Sequence, residues 1–410
     1  MDILPILSTL RRHKLTAWLL ILEIALTCAI VCNAVFLIGQ RLQRMDMPSG
    51  VAEHELLQIQ VADVTTPANP YARMAEDIAT LRQVPGVISV ASSNQVPFGN
   101  SSSNGNIRLD PAQPQRTLSA TTYFGENLSN TLGTRLIAGR DLQPDDFVDV
   151  EAAMKALGTG DAKGLPHVTL ITQTLARRLW PGQNPLGRLI YLTPTVGLRV
   201  VGVLDSLARP NAYDINTAQY TMVVPLRMGA SKDQSYLIRT RPQDRAHVLA
   251  AALAALKKVD SARVVTTKRS FDDVRRKFFQ DDRAMAGMLV WVIVALLIVT
   301  ALGIVGLASF WVAQRRRTIG VRRALGATRA NILHYFQTEN FLLATLGIAL
   351  GMVLAYAINL FLMTHYELPR LPAIYFPVGA IALWLIGQLA VLGPALRAAA
   401  VPPVVATRSV

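Results

Sequence analysis

The sequence has 410 residues, 51% of them hydrophobic, and a mean hydropathy of +0.32. That apolar content excludes an ordinary soluble protein of two or three domains and indicates a membrane protein. The net charge is +14, but residues 40–283 carry 29 basic and 23 acidic residues, so more than half of the excess lies in the short remaining pieces. This distribution is typical of membrane topology and argues against nucleic-acid binding.

Four apolar windows are long enough to cross roughly 30 Å of hydrocarbon, which needs about 20 helical residues. They are Leu15–Gly39, Ala284–Ala313, Phe341–Met363 and Leu371–Leu392. The first follows Arg11, Arg12 and Lys14, as a signal peptide would, but it is long and lacks a small-residue cleavage site. We therefore expect four membrane helices, the first of them uncleaved.

Arginine and lysine in short loops are retained in the cytoplasm. Between the second and third windows lie Arg315, Arg316, Arg317, Arg322, Arg323 and Arg329, with no acid before Glu339. The tail carries Arg397 and Arg408. We expect both chain ends and this loop to be cytoplasmic, and one large domain to be extracytoplasmic.

The predicted organisation follows from these windows. It comprises 1–40 (first helix), 41–283 (extracytoplasmic domain), 284–313 (second helix), 314–337 (cytoplasmic helix), 338–363 (third helix), 371–393 (fourth helix) and 394–410 (tail).

The extracytoplasmic domain contains two strand–helix–strand patterns. They are Glu55–Val61, Pro70–Arg82 and Val87–Ala91, then Tyr236–Thr240, Gln243–Lys257 and Ala262–Thr266. Two such units can pair into one α+β, ferredoxin-like sandwich, and chance similarity is the alternative. Between them lies a strand-rich insert, about 92–226, that opens with an exposed loop at Ser92–Asn106. It is expected to hold strands at His167–Ile171 and Arg199–Leu204 and a helix at Gln173–Leu179.

Catalytic and metal-binding patterns are not found in the sequence. Cys28 and Cys32 lie one turn apart in the first membrane helix, where helix packing is favoured over a metal or redox pair. Neither a G-x-S-x-G nucleophile elbow nor a G-x-x-x-x-G-K-[ST] phosphate loop occurs. We expect no metal, no cofactor and no enzymatic activity.

Three residues are predicted to act in helix packing within the membrane. Glu23 lies inside the first helix, where a helix–helix hydrogen bond is favoured over proton coupling. Gly347 and Gly351 form a small-residue stripe on the third helix, which favours packing within the chain over a dimer contact.

The segment after the second membrane helix has helical spacing. Val321, Leu325, Thr328 and Ile332 would share one apolar face, with the arginines elsewhere. Such a helix can bind either another protein or anionic lipid.

Several motifs, in this order, resemble the extracytoplasmic core of MacB-like permeases. They are Tyr123-Phe124, Leu132-Gly133, Ala138–Asp141, Leu175–Gly182 with Asn184–Gly187, and Val200–Val203. The segment Gln314–Leu333 is similar to the coupling segment of FtsX-like permeases, and Pro394–Pro402 resembles their C-terminal end. Many members have an acid where this chain has Thr318, which would suit one half of a heterodimer.

This resemblance implies a permease of the inner membrane that transmits motion to its periplasmic domain. The implied partners are a cytoplasmic ATPase dimer, a second permease chain, and a periplasmic adaptor with an outer-membrane channel for efflux. The implied coupling residues are Thr318, Ile319, Val321, Arg322, Arg323, Leu325, Gly326, Thr328, Arg329 and Ile332. Lipoprotein extraction of the LolC/E type, FtsX-like regulation of a cell-wall hydrolase, and membrane sensing are the alternatives.

Overall fold

The fold is described from a computed structural model, which describes residues 14–64, 67–99, 101–159, 161, 164–230, 233–366 and 370–400. Arg11, Arg12, Arg408 and the end of the tail, all used for the topology prediction, lie outside these residues. The chain divides into two compact units, one formed by Met1–Met45 with Asp281–Val410 and the other by Asp46–Gln280.

Eleven α-helices occur in the described residues. They are α1 (Lys14–Met45), α2 (Pro70–Arg82), α3 (Leu128–Leu132), α4 (Val150–Thr159), α5 (Gln173–Leu179), α6 (Arg245–Val259), α7 (Phe271–Phe278), α8 (Gln280–Gln314), α9 (Arg316–Ala324), α10 (Arg329–Tyr366) and α11 (Tyr375–Ala399).

Thirteen strands occur in the same residues. They are β1 (Leu56–Ala62), β2 (Val87–Ser92), β3 (Asn104–Ile107), β4 (Leu118–Phe124), β5 (Leu136–Gly139), β6 (Val148–Asp149), β7 (Val168–Thr172), β8 (Leu189–Thr193), β9 (Val196–Leu204), β10 (Thr221–Val224), β11 (Leu226–Arg227), β12 (Asp233–Thr240) and β13 (Val264–Ser270).

The first unit contains α1, α8, α10 and α11, which are long and apolar enough to cross a membrane. The expected number of membrane helices is therefore confirmed, although three of the four extend well beyond the predicted windows. The largest difference is α10, which begins at Arg329 instead of 338. Its start is defined by Thr328, whose hydroxyl oxygen accepts a hydrogen bond from the amide of Asn331 at 3.2 Å.

Helix α1 packs closely against α10 through small residues. A Cβ atom added at Gly351 would lie 2.5 Å from Cβ of Cys28, and one at Gly347 would lie 2.8 Å from Cβ of Ile24. The amide of Asn33 on α1 also donates to the carbonyl of Ala355 at 3.1 Å. Gly347 and Gly351 therefore lie in a helix contact within this chain, where larger residues would push the two backbones apart.

Asp46–Gln280 contains the ferredoxin-like fold expected from the two repeated patterns. Its four-stranded sheet has the order β13-β1-β12-β2, all pairs antiparallel. Leu57, Ile59 and Val61 of β1 lie in a core shared with α2 and α6, since alternate residues of a strand face one side. The intervening Gln58 and Gln60 therefore belong to the opposite face of the sheet.

The insert forms a second, mixed sheet with the order β3-β4-β10-β7-β9-β5, and β8 pairs with β9. It occupies the chain between β2 and β12, close to the expected 92–226. Strand β10 runs parallel to β4 and antiparallel to β7. Tyr123 is fully buried in this module, and its hydroxyl donates to the carbonyl of Ala208 at 2.8 Å.

A buried ionic network links α2 to the sheet of the ferredoxin-like fold. Nε of Arg263 lies 2.7 Å from Asp63, and its two Nη atoms each lie 2.7 Å from an oxygen of Asp77. The hydroxyl of Tyr236 donates to Asp77 at 2.6 Å. Burial alone would lower the pKa of Arg263, but the hydrogen bonds and charge of Asp77 outweigh it and raise that pKa.

Candidate functional site

The predicted coupling segment is a helical hairpin instead of one continuous helix. Helix α9 ends at Ala324, and α10 begins at Arg329. Gly326 between them has φ of +97°, a left-handed conformation that other residues adopt only with strain. Its amide and that of Ala327 close the end of α9 by bonding the carbonyls of Arg323 and Arg322 at 3.2 and 3.0 Å. The prediction of a single helix over 314–337 was therefore wrong.

The hairpin separates the four residues that were expected to share a face. Ile332 is only 5% exposed, whereas Leu325 is 83% exposed at the turn, and Val321 and Thr328 are also exposed. Ile319 is buried like Ile332, and both belong to one apolar cluster. Its members are Val312, Ile319, Ile332, Phe336, Ala395, Ala398 and Ala399. Ile319 and Ile332 thus attach the hairpin to α8, α10 and α11, and the exposed apolar surface is that of Val321 and Leu325.

The arginines of the hairpin differ in their surroundings. The guanidinium of Arg322 lies over the ring of Tyr335 at 5.1 Å, and Nη1 of Arg323 donates to the carbonyl of Ala399 at 3.1 Å. Arg329 and Thr318 are exposed. Arg322 and Arg323 therefore contact neighbouring helices, while Arg329 and Thr318 are open to a partner or to solvent.

A buried ion pair at the base of the hairpin was not predicted as a site. Nη1 of Arg315 lies 3.1 and 3.0 Å from the two carboxylate oxygens of Glu339, whose side chain is only 2% exposed. The same guanidinium lies over Trp311 at 5.6 Å. The sequence contained one clue, since Glu339 is the first acid after a run of arginines. This pair connects the end of α8 to α10, and a buried pair resists separation because either charge alone would be costly.

Glu23 lies at the contact between α1 and α8, against Gly303. A Cβ atom added at Gly303 would lie 2.6 Å from either carboxylate oxygen of Glu23. Among the described residues Glu23 forms no hydrogen bond, so the bond expected of it is absent. The hydroxyls of Thr27 and Thr300 form the link instead, at 2.9 Å.

No cluster of three or more metal-ligating side chains is present in the parts of the chain that the structure describes. Both cysteines are buried free thiols. Cys32 packs against Gly379 of α11, where an added Cβ atom would lie 2.5 Å from its sulfur.

Two protein families match this chain. The MacB-like periplasmic core domain matches residues 19–256, which is more than half of the chain. The FtsX-like permease C-terminal family matches residues 290–403. The chain belongs to the MacB/FtsX-like permease family. It is an inner-membrane protein, and its Asp46–Gln280 unit is a periplasmic domain.

Similar proteins include the macrolide export ATP-binding/permease protein MacB of Chromobacterium violaceum, 26% identical over 273 residues, with 63% of this chain and 41% of that protein covered. The protein of the same name from Neisseria gonorrhoeae is 26% identical over 277 residues, with 67% and 39% covered. The chain thus spans about two-fifths of the length of these relatives. A solved neighbour is the periplasmic region of MacB from Actinobacillus actinomycetemcomitans, with a TM-score of 0.35 and 14% identity, covering 57% of this chain and 97% of that one.

The periplasmic location of this domain places the hairpin in the cytoplasm. Helices α1 and α8 adjoin the periplasmic domain at Met45 and Gln280, and each is long enough to cross the membrane once. The opposite end of α8, with Arg315 and the hairpin, therefore lies on the cytoplasmic side.

Proposed function

We propose that this chain is the permease subunit of an ABC transporter in which a partner ATPase moves the periplasmic domain. The 410 residues contain no phosphate loop, and the relatives carry both functions in their names. In this proposal an ATPase dimer binds the hairpin formed by α9 and the first turns of α10. A second permease chain, identical or homologous, completes the membrane assembly.

The observation that carries this proposal is the contrast between the two sides of the hairpin. Leu325 is 83% exposed at the tip, while Ile319, Ile332 and the Arg315–Glu339 pair hold the base against the membrane helices. An exposed leucine on a charged cytoplasmic surface suits insertion into an apolar groove of a partner. A force applied to Leu325 would reach α8 and α10 because the base is rigidly packed.

Helix α8 provides the path from the hairpin towards the periplasm. It has 35 residues, which corresponds to about 50 Å at about 1.5 Å per residue, well over the roughly 30 Å of the hydrocarbon layer. Within the described residues it contains no proline, the usual cause of a kink. We propose that this helix transmits displacement of its cytoplasmic end to the periplasmic domain.

The transported material is proposed to be a small molecule or peptide, exported with a periplasmic adaptor and an outer-membrane channel. Support comes from the relatives, which are named as macrolide exporters. The work would be done on periplasmic substrate by domain movement, so no passage through α1, α8, α10 and α11 is required.

The test is to replace Leu325 with Asp and measure the ATPase that co-purifies with the chain from membranes of its own host. A carboxylate buried without a partner in an apolar groove costs several kcal/mol, about enough to abolish binding. Because Leu325 is exposed in the chain itself, its replacement should leave folding and membrane insertion intact. Arg329→Ala should have much less effect, since an exposed pair contributes about 0–1 kcal/mol.

The matched control is Met154→Asp, which makes the same change at an apolar side chain that is 65% exposed in the periplasmic domain. It should leave the co-purifying ATPase activity unchanged. Equal ATPase recovery with Leu325→Asp and with the wild type would reject the docking role. If the hairpin binds only lipid, Arg329→Ala should weaken the attachment of the hairpin to anionic lipid. Leu325→Asp should then leave the amount of co-purifying ATPase unchanged.

A further inference from the structure

The face of the ferredoxin-like sheet opposite α2 and α6 is strongly polar. In the antiparallel pairing of β1 with β13, Gln58 lies opposite Arg269 and Gln60 lies opposite Thr267. Paired residues of neighbouring strands are on the same face. This face therefore offers two amides, a hydroxyl and a guanidinium, where a second apolar layer would need aliphatic side chains.

The chain that leaves β2 for the insert lies over this polar face and is held in place. Nε2 of Gln95 donates to the carbonyl of Thr122 at 2.9 Å, and Oε1 of Gln95 accepts from the amide of Ser103 at 2.7 Å. Asn94 also donates to the Thr122 carbonyl, at 3.1 Å, and accepts from the amide of Phe124 at 3.0 Å. Both amides are thereby oriented by the insert, on one side of a cavity.

The cavity between the sheet and this segment has a volume of about 230 Å³. Its lining includes Gln58, Gln60, Asn94, Gln95, Arg269 and Lys277. A water molecule occupies about 30 Å³ in the liquid, so the cavity has room for a small organic molecule or an oxyanion with water. All these residues belong to the periplasmic domain.

The cavity is positively charged without a matching acid. Among its described lining residues there is no Asp or Glu. Nε of Arg269 donates to Oε1 of Gln58 at 2.9 Å, while its Nη atoms and the Lys277 ammonium form no hydrogen bond or ion pair with any residue described in the structure. Gln58 thus fixes one edge of the guanidinium and leaves its remaining donors available.

Burial lowers the pKa of Arg269, and the charge of Asp273 opposes that effect only in part. The Asp273 carboxylate is itself engaged, accepting from Ser270 at 2.8 Å and pairing with Arg276 at 3.4 Å. A half-buried cation with an uncompensated loss of hydration gains from an anionic ligand.

We propose that this cavity is a binding site for a small anion that carries a carboxylate or phosphate group. Arg269 supplies paired donors suited to two oxygens of such a group, and Lys277 adds a second positive charge. The amide of Gln60, which also lines the cavity, suits a polar remainder of the ligand. The proposal does not depend on the ATPase docking described above.

The test measures binding to the full chain, purified in a neutral maltoside detergent, by isothermal titration calorimetry. The probes are inorganic phosphate, succinate, and succinamide as the uncharged analogue of succinate. The expected result is saturable binding of phosphate or succinate and none of succinamide, and the stronger anion identifies the preferred group. Absence of binding by both anions, or equal binding of succinamide and succinate, would overturn the proposal.

Variants locate the site within the domain. Arg269→Gln should weaken binding of the preferred anion by about tenfold or more, because the paired charge-assisted hydrogen bonds are lost. The control Arg178→Gln makes the same change in charge at an exposed side chain of α5 and should leave affinity within about twofold.

Lys277→Glu provides a second variant that does not disturb packing, since this side chain is exposed. It should weaken anion binding through charge reversal while the thermal unfolding temperature stays that of the wild type. Unchanged affinity in either Arg269→Gln or Lys277→Glu would assign any observed binding to another part of the chain and refute the site.

Discussion

Replacing Arg263 with Met is expected to destabilise the periplasmic domain more than a typical substitution does. The side chains of Arg263, Asp63 and Asp77 are 2%, 4% and 0% exposed, so this network is removed from water. In the variant, two carboxylates would remain buried with no cation between them. Tyr236 would still donate to Asp77 and Gln234 would still donate to Asp63, but one neutral hydrogen bond to each carboxylate does not offset its buried charge.

The magnitude follows from the cost of breaking a buried ion pair by removing one partner, about 3–5 kcal/mol. The free energy of unfolding of a natural domain is about 5–15 kcal/mol, so the variant would lose a large share of its stability. Replacing Asp63 and Asp77 with Asn in the same chain removes both uncompensated charges and should restore about 2 kcal/mol or more. This recovery is expected because the destabilisation comes from the unpaired carboxylates of Asp63 and Asp77, and not from the shape of the methionine at position 263.

The measurement is urea unfolding of the detergent-solubilised chain, followed by hydrogen exchange in peptides from β1 and α2. Arg82→Met on the exposed side of α2 is the control and should change the free energy of unfolding by about 0.5 kcal/mol or less. A loss below about 1 kcal/mol for Arg263→Met would refute the reasoning.

The pH dependence gives a second check on Arg263→Met. An unpaired buried carboxylate has a pKa above its value in the unfolded chain, because burial disfavours the charged form. The folded state of the variant is therefore least destabilised at low pH, where the carboxyl group is protonated. Its stability is lost as the pH rises through the raised pKa. The difference between Arg263→Met and the wild type should thus shrink in acid, and a constant difference would contradict this explanation.

Two further predictions concern helix packing and a surface ion pair. Gly351→Val should lower the thermal stability of the membrane unit, since its Cβ would lie 2.5 Å from that of Cys28. Gly306→Val on α8 is the control, because outside its own helix backbone an added Cβ there meets no atom within 4 Å, and it should leave that stability unchanged. Equal aggregation temperatures of the two variants in size-exclusion assays would contradict the expected packing. The hydrogen bond from Arg140 lowers the pKa of Asp146, so Asp146→Asn should reduce the free energy of unfolding at neutral pH. The difference in this free energy between variant and wild type should vanish as the pH falls through the lowered pKa. A difference that persists in strong acid would contradict this assignment.

Local patterns allowed much of the fold to be predicted where short-range chemistry defines an element. The predicted helix Pro70–Arg82 matches α2, because Asn69 caps its start through the amide of Ala72 at 3.0 Å and proline occupies its first position. The predicted helix Gln243–Lys257 is displaced from α6 by two residues at both ends, since Pro242–Asp244 forms a tighter 3₁₀ turn first.

The coupling hairpin could not be predicted in the same way. Helical spacing alone does not distinguish a glycine within a helix from one that ends it, and Gly326 ends α9 through its positive φ. The Arg315–Glu339 pair depends on the turn that brings α10 back to the end of α8. Its two residues have no periodic relation in the sequence, so the contact became visible only with the fold.

Insertion of the second sheet within the ferredoxin-like fold affects how the protein is made. Strand β1 pairs with β12 and β13, which follow about 170 and 200 residues later in the chain, and at about 5–20 residues per second their synthesis takes roughly 10–40 s. During that interval Leu56–Ala62, a segment rich in aliphatic residues, has neither partner strand. Pairing between segments so distant in the chain is slow and leaves strand edges open to aggregation. We therefore expect periplasmic factors that bind extended apolar segments to protect nascent β1, and their depletion should lower the yield of this permease.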